Sequence, residues 1–301
     1  MAGVTSTALD ALAERVEQGE ALGDGDLALI LESRDLVAIG MVSDQLRRQL
    51  HGADTTFVRV FEAHVDAPPA ALPGAVAAGE FRIVGTPGSL EAACDAVRKI
   101  RTLVGGPPLF GFALHEIEGL GGSRDETFGQ LKAAGLDGIA EVAVDETSST
   151  DGIESARRAG LMVLRATVHS APRDVVALIS QARDLLSQAG GFQAFAPLPR
   201  QLSVSAPTTG FDDVKAVALA RLLLRDVPSI QVDWSLYGPK LAQVGLIVGA
   251  DDVDGVAAHD GVLGARRSPL EEIRGNIRAA GLTAVERNGR FERTTGDGAR
   301  G

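Results

Sequence analysis

The chain has 301 residues, 45% of them hydrophobic, with a formal net charge of −11 and a pI near 5.0. An acidic balance of this size argues against nucleic-acid and anionic-membrane partners, since both require a clustered cationic face. The single cysteine, Cys94, excludes an intrachain disulfide, and the N-terminus lacks the continuous apolar run of a signal peptide or membrane span, so a cytoplasmic protein is expected.

Residues 1–25 read as a flexible N-terminal lead. Leu27, Leu29, Ile30 and Leu31 then form one apolar run, and Leu36, Ile39, Met41, Val42, Leu46 and Leu50 recur near helical period up to Gly52, so two helices are expected before the first strand. From residue 57 onward, short β-branched or aromatic runs alternate with amphipathic segments, the pattern of parallel βα units. Strands are expected near 57–64, 80–84, 109–114, 138–144, 162–167, 192–197 and 230–234. Between the first two lies VDAPPAALPGAVAAG, where Pro68, Pro69 and Pro73 leave no room for the helix a parallel crossover normally uses. Helix starts at 90, 124 and 269 are marked by Ser89, Ser123 and Ser268-Pro269, each followed within a turn by glutamate. In the first of these, Leu90, Cys94, Val97 and Ile100 share a face, which makes Cys94 a small core residue. The tail beyond Arg290 has no apolar periodicity, so 26–291 reads as a single domain and 292–301 as a disordered tail.

Ionisable residues collect at the expected C-terminal ends of strands, where βα barrels keep their chemistry. His115, Glu116 and Glu118 end the third strand and are candidates for acid–base work, against the alternative of a solvated strand end with a local ion pair. His64, His115 and His169 close three strands, but no spacing demands a metal site and none is assigned. Asp251, Asp252 and Asp254 lack the remaining ligands of a calcium loop and read as a helix C-terminus with its capping turn. Trp234 and Tyr237, the only Trp and Tyr, offer a stacking surface, although Ile230, Val232 and Trp234 alternate as a packing face. No Walker loop, Ser-His-Asp set, HExxH or CxxC is present.

Several blocks carry a resemblance in fixed order: LESRDLVAIGMVSDQLRRQLHG (31–52), GEFRIVG (79–85), LKAAGLDGI (131–139), GGFQAFAPL (190–198), SIQVDWSLYGPKLAQVGLIVGADDVDG (229–255) and LEEIRGNIRAAGLTAVERNGRF (270–291). They resemble the aminofutalosine synthase and dehypoxanthine futalosine cyclase group of the radical S-adenosylmethionine (SAM) superfamily. The resemblance implies an α/β fold, a partial TIM-type (β/α)6 barrel of radical SAM type with N-terminal and C-terminal helical extensions, and a link to menaquinone biosynthesis. In that family the first strand runs into a CxxxCxxC loop whose thiolates hold a [4Fe-4S] cluster. The corresponding stretch here, 65–79, has no cysteine. The family's Gly-Gly turn, which approaches the amino group of SAM, is replaced by Gly85-Thr86-Pro87-Gly88, and Pro87 offers no N–H. The segments after the fourth and fifth strands are shorter than the family pattern.

No cofactor is therefore expected: the cysteine count does not support a cluster, and the degenerate turn of Gly85, Thr86 and Gly88 argues against SAM. The resemblance implies His64, Gln193, Trp234 and Lys240 as substrate-side residues. The expectation is a clusterless homologue, a non-catalytic partner or ligand-binding protein. Its partner would be a cysteine-bearing paralogous synthase or a second copy, and its ligand a small nucleoside or aryl compound. Two alternatives stay open. One is an active non-radical enzyme binding SAM, a nucleoside or a chorismate-derived aryl compound; the other is a subunit whose cluster another chain supplies.

Overall fold

The computed structural model describes residues 2–20, 22–73, 76–201, 208–259 and 269–294. Three helices come first, α1 (Ala2–Glu17), α2 (Asp24–Glu32) and α3 (Leu36–His51). The first differs from the flexible lead expected for 1–25. Leu9, Leu12 and Val16 form an i, i+3, i+7 stripe that is buried, and α1 packs on α3. Burying each such side chain contributes about 1.5–3 kcal/mol, enough to hold a helix that propensity alone would let fray. Asp35 caps α3, its carboxylate accepting from the Ala38 amide at 3.0 Å.

The βα units follow as β1 (Asp54–His64), β2 (Glu80–Val84), α4 (Leu90–Val104), β3 (Leu109–Ala113), α5 (Leu114–Glu118), α6 (Arg124–Ala134), β4 (Gly138–Ala143) and α7 (Asp151–Arg158). Next come β5 (Met162–Val163), β6 (Arg165–Val168), α8 (Val175–Ala189), β7 (Ala194–Pro199), α9 (Gly210–Leu223), β8 (Ser229–Asp233), α10 (Trp234–Ile247), β9 (Asp252–Ala257), α11 (Pro269–Ala279) and β10 (Thr283–Glu286). All strand ladders are parallel. They run β1-β2-β3-β4-β6-β7-β8-β9 and close back from β9 to β1, with β5 a short first piece of the β6 position against β4. The barrel thus has eight strands, correcting the expected six.

The barrel strand that sequence reading missed is β9, whose aspartates suggested a turn; they enter the sheet because buried arginines neutralise them. β10 pairs with β1 over Asp54–Phe57, on the edge that β2 occupies only from Val60. No helix lies between β1 and β2 among the described residues, as the prolines dictated.

Helix α4 begins at the expected place, with Ser89 Oγ accepting from the Ala92 amide at 3.1 Å, and Cys94 is buried on its inner face. Helix α6 begins at Arg124, but Ser123 makes no side-chain cap bond. Ser268 lies outside the described residues. After β3 the chain turns directly into α5, so His115, Glu116 and Glu118 sit on a helical turn rather than a strand end. The expected disordered tail begins with ordered residues. Arg293 bridges to Arg287 and the Thr294 amide donates to Glu286 at 2.9 Å; 295–301 lie outside the described residues. No helix among the described residues is long and apolar enough to cross a membrane.

Candidate functional site at the barrel mouth

Because every barrel strand is parallel, all their C-terminal ends open at one end, and there a cavity of about 350 Å³ reaches into the lumen. The lumen is ionic. Arg82 of β2 forks onto Asp254 of β9 at 3.0 and 2.9 Å, and its Nε donates to Glu80 at 2.7 Å. Arg165 of β6 donates to the other oxygen of Glu80 at 3.0 Å and to the Ala140 carbonyl at 2.9 Å. Arg200, one residue past β7, pairs with Asp233 and lies 3.0 Å from Glu141. Asp233 also caps α10, accepting from the Leu236 amide at 3.0 Å.

Forked guanidinium–carboxylate geometry makes such burial tolerable, because each charge finds its counter-charge and its hydrogen bonds together. Burial alone would raise the Asp254 carboxyl, but Arg165, Arg82 and Arg200 outweigh it and hold it well below the usual range. Burial likewise opposes the charge on Arg82, and Asp254 and Glu80 reverse that effect.

Glu62 of β1 stands apart. It lines the cavity and accepts no hydrogen bond from any described residue. Its side chain is exposed at the rim, where partial desolvation pushes the carboxyl up; Arg82 pulls it back, while Asp233 and Asp254 push it further. A second irregularity faces the same space: Phe112, fully buried in β3, has φ +62°, a left-handed conformation that a bulky residue adopts only under constraint.

The residues singled out from the sequence divide. Glu116 lines the cavity, accepting from the Ala113 amide at 2.9 Å and from Thr86 Oγ at 2.5 Å, so it ties the turn after β2 to α5. Glu118 instead pairs with Arg124 at 2.6 Å and faces a separate polar surface cavity of about 520 Å³. His115 meets His169 edge to face, ring centroids 5.1 Å apart, and its Nδ1 is buried without a hydrogen-bond partner. His64 lies on Gly85, where an added Cβ would fall 2.7 Å from the imidazole, and its side chain is 54% exposed. Gly85 lines the cavity with φ +91°, and Gly88 faces open space. Among the described residues, no group of three or more His, Cys, Asp or Glu is placed to hold a metal ion.

Gln193 is a correction: it precedes β7 and so lies at the opposite end of the barrel from the cavity. Trp234 is buried as packing, and Lys240 is exposed on α10. The aspartates read as a capping turn are also corrected. Asp251 takes Arg221 and the Ile230 amide (2.9 Å), while Asp252 is forked by Arg287 at 2.6 Å to each oxygen. Sequence reading passed over Glu62, Arg82, Arg165, Arg200 and Asp233. The available signal was charge inside an apolar parallel strand, Glu80 and Arg82 in EFRIV and Asp233 in SIQVD, where both faces are normally apolar.

A closed parallel βα barrel with its cavity at the strand C-termini defines the class, a TIM-like barrel. Solved structures share it: methylornithine synthase, with a TM-score of 0.61 and 14% identity over 91% of this chain and 97% of that one. So does the FeFe-hydrogenase maturase HydG from Carboxydothermus hydrogenoformans, with a TM-score of 0.65 and 10% identity over 95% and 81%.

Residues 189–297 match the family model for the CofH/MqnC C-terminal region. Aminodeoxyfutalosine synthase of Streptomyces coelicolor is 35% identical over 143 residues, 40% of this chain and 37% of that protein. Its namesake from Thermus thermophilus is 24% identical over 363 aligned positions covering 96% of both, so that relative carries insertions this chain lacks. The cyclic dehypoxanthine futalosine synthase of S. coelicolor is 34% identical over 36% of this chain and 30% of that one. The chain is thus similar to the aminofutalosine synthase and dehypoxanthine futalosine cyclase group, over residues 189–297 in the family model and along most of its length in the Thermus relative.

The resemblance implies a [4Fe-4S] cluster and SAM, and the residues present do not fit the cluster. The only thiol, Cys94, is buried in α4, where desolvation raises its pKa and disfavours the thiolate. The segment after β1 contains no cysteine.

Proposed function

We propose that this chain is a clusterless homologue of aminofutalosine synthase, a non-catalytic cytoplasmic protein that binds a small ligand at its barrel mouth and is linked to menaquinone biosynthesis. One observation carries the reading: a built mouth, with Arg82, Arg165 and Arg200 fixed around a cavity, stands beside a β1–β2 segment without the thiolates a cluster needs. Its partner is a cysteine-bearing paralogous synthase or a second copy of itself.

Anaerobic iron–sulfur reconstitution followed by iron analysis tests this. Iron well below one cluster per chain is expected, and a stoichiometric cluster with its absorption near 400 nm overturns the reading. A second reading is favoured by Glu62: a carboxyl pushed up by partial desolvation, lining the same cavity as the strained Phe112, suits a general acid in a non-radical enzyme. Turnover of a nucleoside or aryl substrate that Glu62→Gln abolishes would favour it over the non-catalytic one.

A further inference from the structure

Four of the seven large hydrophobic side chains exposed among the described residues lie together, away from the mouth. Val37, 75% exposed, and Met41 stand one turn apart on α3, while Val244 and Ile247 share the outer face of α10. The two helices meet at Gly40, where an added Cβ would fall 3.0 Å from Val248, so the four side chains flank a single seam. The other sides of both helices are taken: α3 packs on α1 and α9, and α10 on β8, β9, α9 and α11. Apolar side chains scattered singly mean little, but a contiguous patch on an outer helical face marks an interaction surface.

The directions of the helices decide what fits it. α3 ends where β1 begins and α10 runs from β8 back to the start of β9, so both descend toward the strand N-termini. Counted from the seam at about 1.5 Å per residue, Val37 stands within roughly 3 Å of the level of Val244, and Met41 of that of Ile247. A two-fold axis along the seam therefore lays α3 of one copy on α10 of the other with the apolar pairs in register. The patch carries its own complement.

Charge agrees with that axis. Lys240 makes no ion pair with any described residue, and it sits in the first turn after the kink at Gly238, the helix end least favourable to a cation. The axis brings it to the N-terminal end of α3 on the other copy, where the exposed Glu32 and Asp35 outnumber Arg34. Two helices of about 10–12 Å width give a face roughly 20 Å square, which puts the pair near 800–1,000 Å² in total, the size of weak association.

We propose that this face pairs with itself in a weak two-fold dimer through α3 and α10. This goes beyond the reading above: it selects a second copy as the partner, and because the cavity takes no part it is independent of whether the chain lacks a cluster.

Sedimentation velocity of the full chain between about 1 and 300 μM tests it. The mass is expected to rise from 31.2 kDa toward twice that value, with half-association on the order of tens of micromolar. Val244→Asp, at an exposed position, should give a monomer throughout with the melting temperature retained. Lys240→Glu should weaken association roughly threefold to tenfold, and serves if the first variant fails to fold. Val37→Cys and Val244→Cys chains, mixed and oxidised, should cross-link between copies far more than either alone, with the buried Cys94 taking no part.

A monomer at every concentration, a dimer that both Val244→Asp and Lys240→Glu leave intact, or cross-linking no better in the mixture than in the single variants overturns the proposal. A stoichiometric cluster on reconstitution would remove the clusterless reading and leave the dimer standing.

Discussion

The two ends of the barrel treat their acids differently. At the floor, Asp251 belongs to Arg221, with His51 Nε2 at 3.4 Å, and Asp252 is forked by Arg287, whose guanidinium also stacks 3.9 Å from the Phe291 ring centroid. At the mouth, Glu62 has no dedicated cation and Arg165 keeps an open donor. Floor charge is committed to closure of the sheet. Mouth charge is paired among Arg82, Arg165 and Arg200 and their carboxylates, and Glu62 alone stands outside that network, exposed on the cavity wall.

The sharpest way to break this contrast is Arg287→Met. It leaves Asp252 buried and unpaired, and about 3–5 kcal/mol of stability should be lost in urea denaturation. A loss under 1 kcal/mol would mean the floor pair is dispensable. Next in size, Gly85→Ala places a Cβ at φ +91° against the His64 ring; about 1–2 kcal/mol is expected, read as a lower denaturation midpoint.

The smallest effect should come from Glu62→Gln, within about 1 kcal/mol, and its sign depends on pH. Glu62 is raised in the folded chain, so its contribution favours folding in acid and is lost as pH rises through the folded value. The glutamine variant should therefore gain stability at pH 7 and gain nothing near pH 4. Asp254 runs the other way: held low, it supports the fold above the ordinary carboxylate range, and its share is lost as pH falls below that range. Melts across pH with and without the substitution separate the two, and a Glu62→Gln gain that persists in acid would sink the assignment.

Much of the architecture was legible because period and punctuation are local. The alternation of strands and helices, the start of α4 at Ser89 and the helix-free proline crossover each follow from neighbours in sequence. β9 was not legible, since Asp252, Asp254 and Gly255 disfavour strands and only Arg287, Arg82 and Arg165, brought from distant positions, make them tolerable. The site failed for the same reason: Glu62 reads as one polar residue on a strand until the fold shows that its neighbours are already paired with one another. The stripe of Leu9, Leu12 and Val16 was present in the sequence; what it lacked was the partner helix α3.

Closure of the barrel also sets an order of events. β1 is bounded on one edge by β9 and, over Asp54–Phe57, on the other by β10, so the first strand synthesised waits for the last two. At ordinary translation rates that wait is roughly ten to forty seconds. Such sequence-distant pairing makes for slow folding. For that interval the apolar run of Phe57, Val58, Val60 and Phe61 carries an unpaired edge, making β1 the segment of the nascent chain most in need of a chaperone.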